Sequence, residues 1–191
     1  QVGRDVVIDV NVVFTGQVVL GDDCVIGPNC FIKNTKLDAR VKVHAYSYLD
    51  GAEVATDSVI GPYARLRPGT VLEREVHIGN FVEVKNSIVR ENSKINHLSY
   101  IGDSDIGKFV NIGAGTITCN YDGAKKHKTQ IGDHVHIGSG TKLIAPVSVG
   151  NNATIGAGST IIKDAPANQL TLTQRLEQRS VNWSRPGESS E

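Results

Sequence analysis

Methionine is absent from the 191 residues, tryptophan occurs once and phenylalanine only four times. A core centred on aromatic rings is therefore excluded. Cysteine is also scarce: the three present form no C-x-x-C pair. That argues against a disulfide framework or a zinc ribbon and fits a reducing, cytoplasmic setting. Net charge is lacking too, with 20 basic residues against 20 acidic ones. No general attraction to nucleic acid or to an anionic membrane follows from such a balance, and neither is expected as a partner. No apolar run approaches the roughly 20 residues of a membrane span, and no signal-peptide pattern is visible. The chain starts at Gln1 rather than methionine, so a longer natural chain is expected.

What is abundant is glycine, with twenty residues, and a repeat that uses it. Aliphatic side chains recur every six positions, as in Ile8, Phe14, Leu20, Ile26 and Ile32, with five-residue steps before Leu37, Val54, Val89 and Ile106. Small residues such as Cys24, Cys30, Ala64 and Val82 sit two places before the next aliphatic. A period of six is neither helical nor a simple strand alternation. It suits short strands joined by tight corners, three hexads per triangular coil and coils stacked about 4.8 Å apart. The 27 anchors from Val2 to Ile161 predict about nine coils of an all-β, parallel β-helix, with glycine after the anchor permitting the corner. Known families with this architecture are left-handed, an exception to the usual crossover rule; the hand itself is not written in the sequence. Cys24 and Cys30 occupy inward slots and read as packing residues.

A solenoid is mostly scaffold, so function is sought where the repeat is broken. Arg67 and Lys85 stand where glycine is expected, 18 residues apart and hence on one corner of successive coils. Stacked cations make an anion site, or else two solvated charges that splay apart. One coil later the count gathers His97, Tyr100 and Glu83, with Asn111 entering from the adjoining corner, Asn80 below His97 and Ala114 above it. Histidine titrates near neutrality and can serve as a general base, although composition alone does not choose among six. Between Thr118 and Ile131 the repeat fails: "CNYDGAKKHKT" leaves the coil as a basic loop over 119–130. Beyond Lys163 the pattern stops, and residues 164–191 read as an extension with a disordered end.

The stretches "GPYARLRPG", "HIGNFVEVKNS", "INHLSYIGD" and "VNIGAGTITCNYDG" resemble the acetyltransferase domain of the bacterial GlmU family, across nearly all of the chain to about Lys163. The resemblance implies a left-handed β-helix that forms a homotrimer with sites between subunits. It implies acetyl transfer from acetyl-CoA to the 2-amino group of glucosamine 1-phosphate, a step toward UDP-N-acetylglucosamine for peptidoglycan and lipopolysaccharide. His97 matches the general base, and Glu83 is the candidate to orient it. Arg67 and Lys85 match ligands of the sugar phosphate, Tyr100 and Asn111 match sugar contacts, and Lys126 matches a basic residue of the loop. Asn120 and Tyr121 match donor or sugar contacts, while Ala114, Ser139 and Ala157 match acetyl-CoA contacts. For an arginine near the CoA nucleotide, Gln174 and Arg175 compete, and Arg175 is preferred. The family's uridyltransferase half, with its magnesium site, has no counterpart in residues 1–191, and acetyl transfer requires no metal. Three other readings compete: an acyl-carrier-protein-dependent acyltransferase of the same repeat, a zinc carbonic anhydrase, and a non-catalytic trimerisation scaffold.

Overall fold

A computed structural model describes residues 1–173 and Ser180, and these build a left-handed parallel β-helix of 27 short strands without a helix. Three sheets form its faces. The first has ten strands, from Val7–Ile8 to Leu170–Thr171; the second has nine, from Val13–Thr15 to Thr160–Ile161. The third has eight, from Val19–Leu20 to Val147–Val149. Register follows the repeat, since each anchor stacks on the next: Ile60 on Ile78, Ile78 on Ile95, Ile95 on Ile112 and Ile112 on Ile137. The anchors from Leu20 onward are buried, and the five-residue steps do not break the register: Leu37 stacks on Val54, Val54 on Leu72 and Leu72 on Val89. Cys24 and Cys30 lie inside as free thiols, and burial pushes both thiols up.

The structure reassigns the glycines. The left-handed backbone conformation falls three residues after the first-face anchors, at Tyr46, Tyr63, Phe81 and Leu98 (φ 60°, 56°, 55° and 49°). Side chains are tolerated there because the coil below holds the chain, as where Leu98 N–H donates to Asn80 O at 3.1 Å. Apart from Gly61 (φ 89°), glycine directly after an anchor serves close approach instead. A Cβ on Gly79 would lie 2.0 Å from the Asn96 carbonyl oxygen, and one on Gly138 would lie 2.5 Å from Ala157 N.

The winding does not stop at Lys163, where the repeat becomes illegible. Ala165 bridges Val149, and Leu170–Thr171 adds a strand beside Thr154–Ile155. Many inward slots carry hydroxyls that bond the corner backbone, as Ser93 does by donating to Gly107 O at 2.7 Å. Thr129, at the foot of the loop, is the buried exception: its Oγ1 has no partner among the described residues. Thr129→Val keeps the shape and removes the orphan, so it is expected to be stabilising, by about 1 kcal/mol or 2–4 °C in Tm by calorimetry.

Candidate active site

Two corners flank the second face, and the functional side chains collect on them. On the corner between the first and second faces, Asn80, His97, Ala114, Ser139 and Ala157 form one ladder, two residues after the anchors Ile78, Ile95, Ile112, Ile137 and Ile155. The backbone confirms the rungs: Gly115 N–H donates to His97 O, Gly140 N–H to Ala114 O, and Gly158 N–H to Ser139 O. Beside this ladder runs the left-handed column. Below His97 it is a ridge, with Tyr46 stacked on Tyr63 at 5.0 Å and Tyr63 on Phe81 at 5.3 Å, followed by Leu98. Above His97 the ridge ends, and Gly115, Gly140 and Gly158 leave open space. A floor of small residues, three rungs long, thus leads up to one imidazole.

His97 is exposed, and its Nδ1 lies 3.2 Å from Asn80 Oδ1. The expected Glu83–His97 bond is not formed. Glu83 stacks under Tyr100 on the second face, and its carboxylate accepts from Arg67 at 2.8 Å and Arg65 at 3.4 Å. The arginines hold it because Arg65 stands opposite Glu83 on the neighbouring coil, with Arg67 two residues further on, and a guanidinium–carboxylate bond is charge-assisted.

The second corner carries the cations. Its column is not reserved for glycine: Lys33, Asp50, Arg67, Lys85 and Gly102 occupy successive rungs, with Lys33 bonded to Asp50 at 3.2 Å. Charge alternates there until Arg67 and Lys85, which follow one another without a carboxylate between them. The ammonium of Lys126, reaching in from the loop, holds Lys85 below the usual lysine range; loss of water adds to this and Asp103 opposes it. Asp103 is buried, accepts from Asn86 Nδ2 at 2.5 Å and from Asn120 Nδ2, and is held below the usual carboxylate range by these amides and the two lysines despite burial. At Gly102 a Cβ would lie 2.5 Å from the Tyr100 hydroxyl and 2.8 Å from Asn120 Nδ2, so both side chains close over this glycine. Sequence reasoning passed over Gly102, Asp103 and Asn86; the signal was the glycine standing on the rung after Lys85.

Asn111 falls elsewhere. It lies on the first face opposite Lys94 and His136, with Nδ2 3.4 Å from His136 Nδ1. It is the residue before an anchor, which fixes it on a face and not at a corner. Tyr121 is exposed on the loop, while Arg175 and Gln174 lie outside the described residues. The loop orders itself. Tyr121 bridges Lys126, and the Asp122 carboxylate accepts from Ala124 N at 2.8 Å, Lys125 N at 2.6 Å and His127 Nε2 at 2.6 Å. These bonds, the Lys125 amide first, hold the Asp122 carboxyl well below the usual carboxylate range. A depressed carboxylate contributes order above its unfolded pKa, near 3.9, and loses it only as pH falls through the lower folded value. The Asp122 contribution to loop order is therefore fully present from about pH 5 upward. Asp122→Ala should expose the Lys125 and Lys126 bonds to trypsin and speed cleavage at pH 8.

Among the described residues, no three His, Cys, Asp or Glu side chains are grouped to hold a metal ion, and no helix is long and apolar enough to cross a membrane. A cavity of about 570 Å³ on the first face, lined by Lys42, His44, His77 and Asn96 among others, stops one residue short of His97.

Residues 1–80 match the family described as GMPPB C-terminal domain, and residues 128–163 match bacterial transferase hexapeptide (six repeats). Among full-length relatives, the bifunctional protein GlmU of Aromatoleum aromaticum is 56% identical over 184 residues, which are 96% of this chain and 40% of that protein. The GlmU of Bordetella parapertussis is 54% identical over 188 residues, 98% of the chain and 41% of the relative. The chain belongs to the GlmU family. It spans about two-fifths of the length of these relatives and corresponds to their C-terminal part. In fold the GlmU-family chain is similar to an Arabidopsis UDP-N-acetylglucosamine acyltransferase, with a TM-score of 0.79 at 18% identity over 95% of this chain and 70% of that one. The Acinetobacter baumannii LpxA structure gives 0.61 at 16% identity, over 88% of this chain and 69% of that one.

Proposed function

We propose that this chain transfers the acetyl group of acetyl-CoA to the 2-amino group of glucosamine 1-phosphate, giving N-acetylglucosamine 1-phosphate and CoA. The observation that carries the reading is the pairing of two corners. A small-residue floor ends at His97, and a crowded cation pair lies across the intervening strand Tyr100–Gly102. Three extended residues span about 10 Å, the scale of a monosaccharide phosphate. In this arrangement the donor's extended arm lies along Ala114, Ser139 and Ala157 with its thioester at His97. Arg67, Lys85 and Lys126 hold the phosphate, and Tyr100 and Asn120 face the sugar. The amine nitrogen attacks the thioester carbonyl, the N–C bond forms, the C–S bond breaks, and His97 takes the amine proton for return to the departing thiolate. Each site is completed by a neighbouring subunit of a homotrimer, which supplies Asn111 from its first face.

Release of CoA thiol tests this. Thiol should appear with acetyl-CoA and glucosamine 1-phosphate, and not with glucosamine 6-phosphate or with UDP-N-acetylglucosamine as acceptor. No release with glucosamine 1-phosphate overturns the reading.

A further inference from the structure

We infer that Asn80 is a positioning residue that fixes the tautomer of His97, a role that rests on His97 being the base of the proposed transfer. Asn80 occupies the same corner one coil below, in register with His97, and its carbonyl oxygen accepts from Leu98 N at 3.1 Å. Its side chain is thereby held under the imidazole, with Oδ1 3.2 Å from Nδ1. An amide oxygen can only accept, so Nδ1 carries the proton and Nε2 keeps its lone pair. Nε2 is then the basic atom presented to the acceptor amine at the head of the small-residue floor.

The partner is neutral, and the surroundings explain why that matters. The rung above His97 is Ala114, the far end of its own strand brings Lys94 and the far ends of the strands packed on either side bring His77 and Asn111, and Glu83 and Asp103 are engaged by arginines and asparagines. Among the described residues no carboxylate bonds His97. An amide orients the ring without the negative charge that would hold the imidazolium, so the proton taken from the amine is readily passed to the thiolate. A carboxylate in the same place would retain it.

Asn80→Ala leaves the corner intact, because alanine already stands on the same ladder at Ala114 and Ala157. With ¹⁵N-labelled histidine in the whole chain, and His97→Ala to assign the signals, the wild type should show His97 protonated on Nδ1 with Nε2 free. In Asn80→Ala this tautomer should give way to a mixture, and kcat should fall about tenfold to a hundredfold while both KM values hold within about twofold. Asn80→Asp should recover kcat at high pH but shift the acid limb of its pH profile upward. The double variant with His97→Ala should lose nothing beyond His97→Ala alone. A wild-type imidazole protonated on Nε2, an unchanged tautomer in Asn80→Ala, or additive losses overturn the assignment. If the wild type releases no CoA, the acetyltransferase reading fails, while the tautomer measurement still decides the role of Asn80.

Discussion

His97→Ala lowers kcat by about 10²- to 10⁴-fold, the range that general-base catalysis supplies, and leaves the KM for acetyl-CoA within about twofold. The separation follows from geometry. His97 is exposed at the head of the floor, whereas the rungs that would carry the donor are Ala114, Ser139 and Ala157, one to three coils above. Removing the imidazole takes away the proton acceptor and spares the floor. Single-turnover kinetics with thiol detection would show it as a slow chemical step with normal binding. A parallel rise in KM would instead make His97 a binding residue.

Removing a cation from the second corner has a different signature. Arg67→Ala or Lys85→Met should raise the KM for the sugar phosphate by about 10- to 150-fold with kcat changed far less, since a hydrogen bond to a charged group is worth about 1.5–3 kcal/mol. Lys85 has a second consequence. Because Lys126 holds it below the ordinary lysine range, its charge is lost at a lower pH than that of a free lysine. The acceptor KM should therefore rise on the alkaline side before ordinary lysines titrate. In Lys126→Met, Lys85 returns toward its usual value and that rise moves to higher pH. Steady-state kinetics across pH 7 to 10 read both effects, and a pH-independent KM would remove Lys85 from the phosphate.

The coils were legible because every anchor from Leu20 to Ile161 does the same physical work, burial against the anchor of the next coil. Ala114 above His97 was legible for the same reason, since counting places it on that corner; Ser139 and Ala157 came only from the family resemblance, and the structure sets them on the same ladder. Partners were less so. A count of 17 put Glu83 near Tyr100 correctly but could not show that Arg65 and Arg67 hold its carboxylate. Asn80 was counted under His97 without being given the bond it makes. The cluster of Asn86, Asp103 and Asn120 was invisible because its members lie 17 residues apart and resemble turn residues one at a time. The tenth turn of the helix was missed because Ala165 and Leu170–Thr171 keep the winding without the aliphatic spacing.

A crystal structure of the chain grown with CoA and N-acetylglucosamine 1-phosphate tests the pairing of the two corners most directly. The phosphate should lie within hydrogen-bond reach of Arg67, Lys85 and Lys126, the CoA arm along Ala114, Ser139 and Ala157, and the thiol and amide nitrogen beside His97 Nε2. Ligand density in the first-face cavity at Lys42, His44 and His77, with both corners empty, would contradict it.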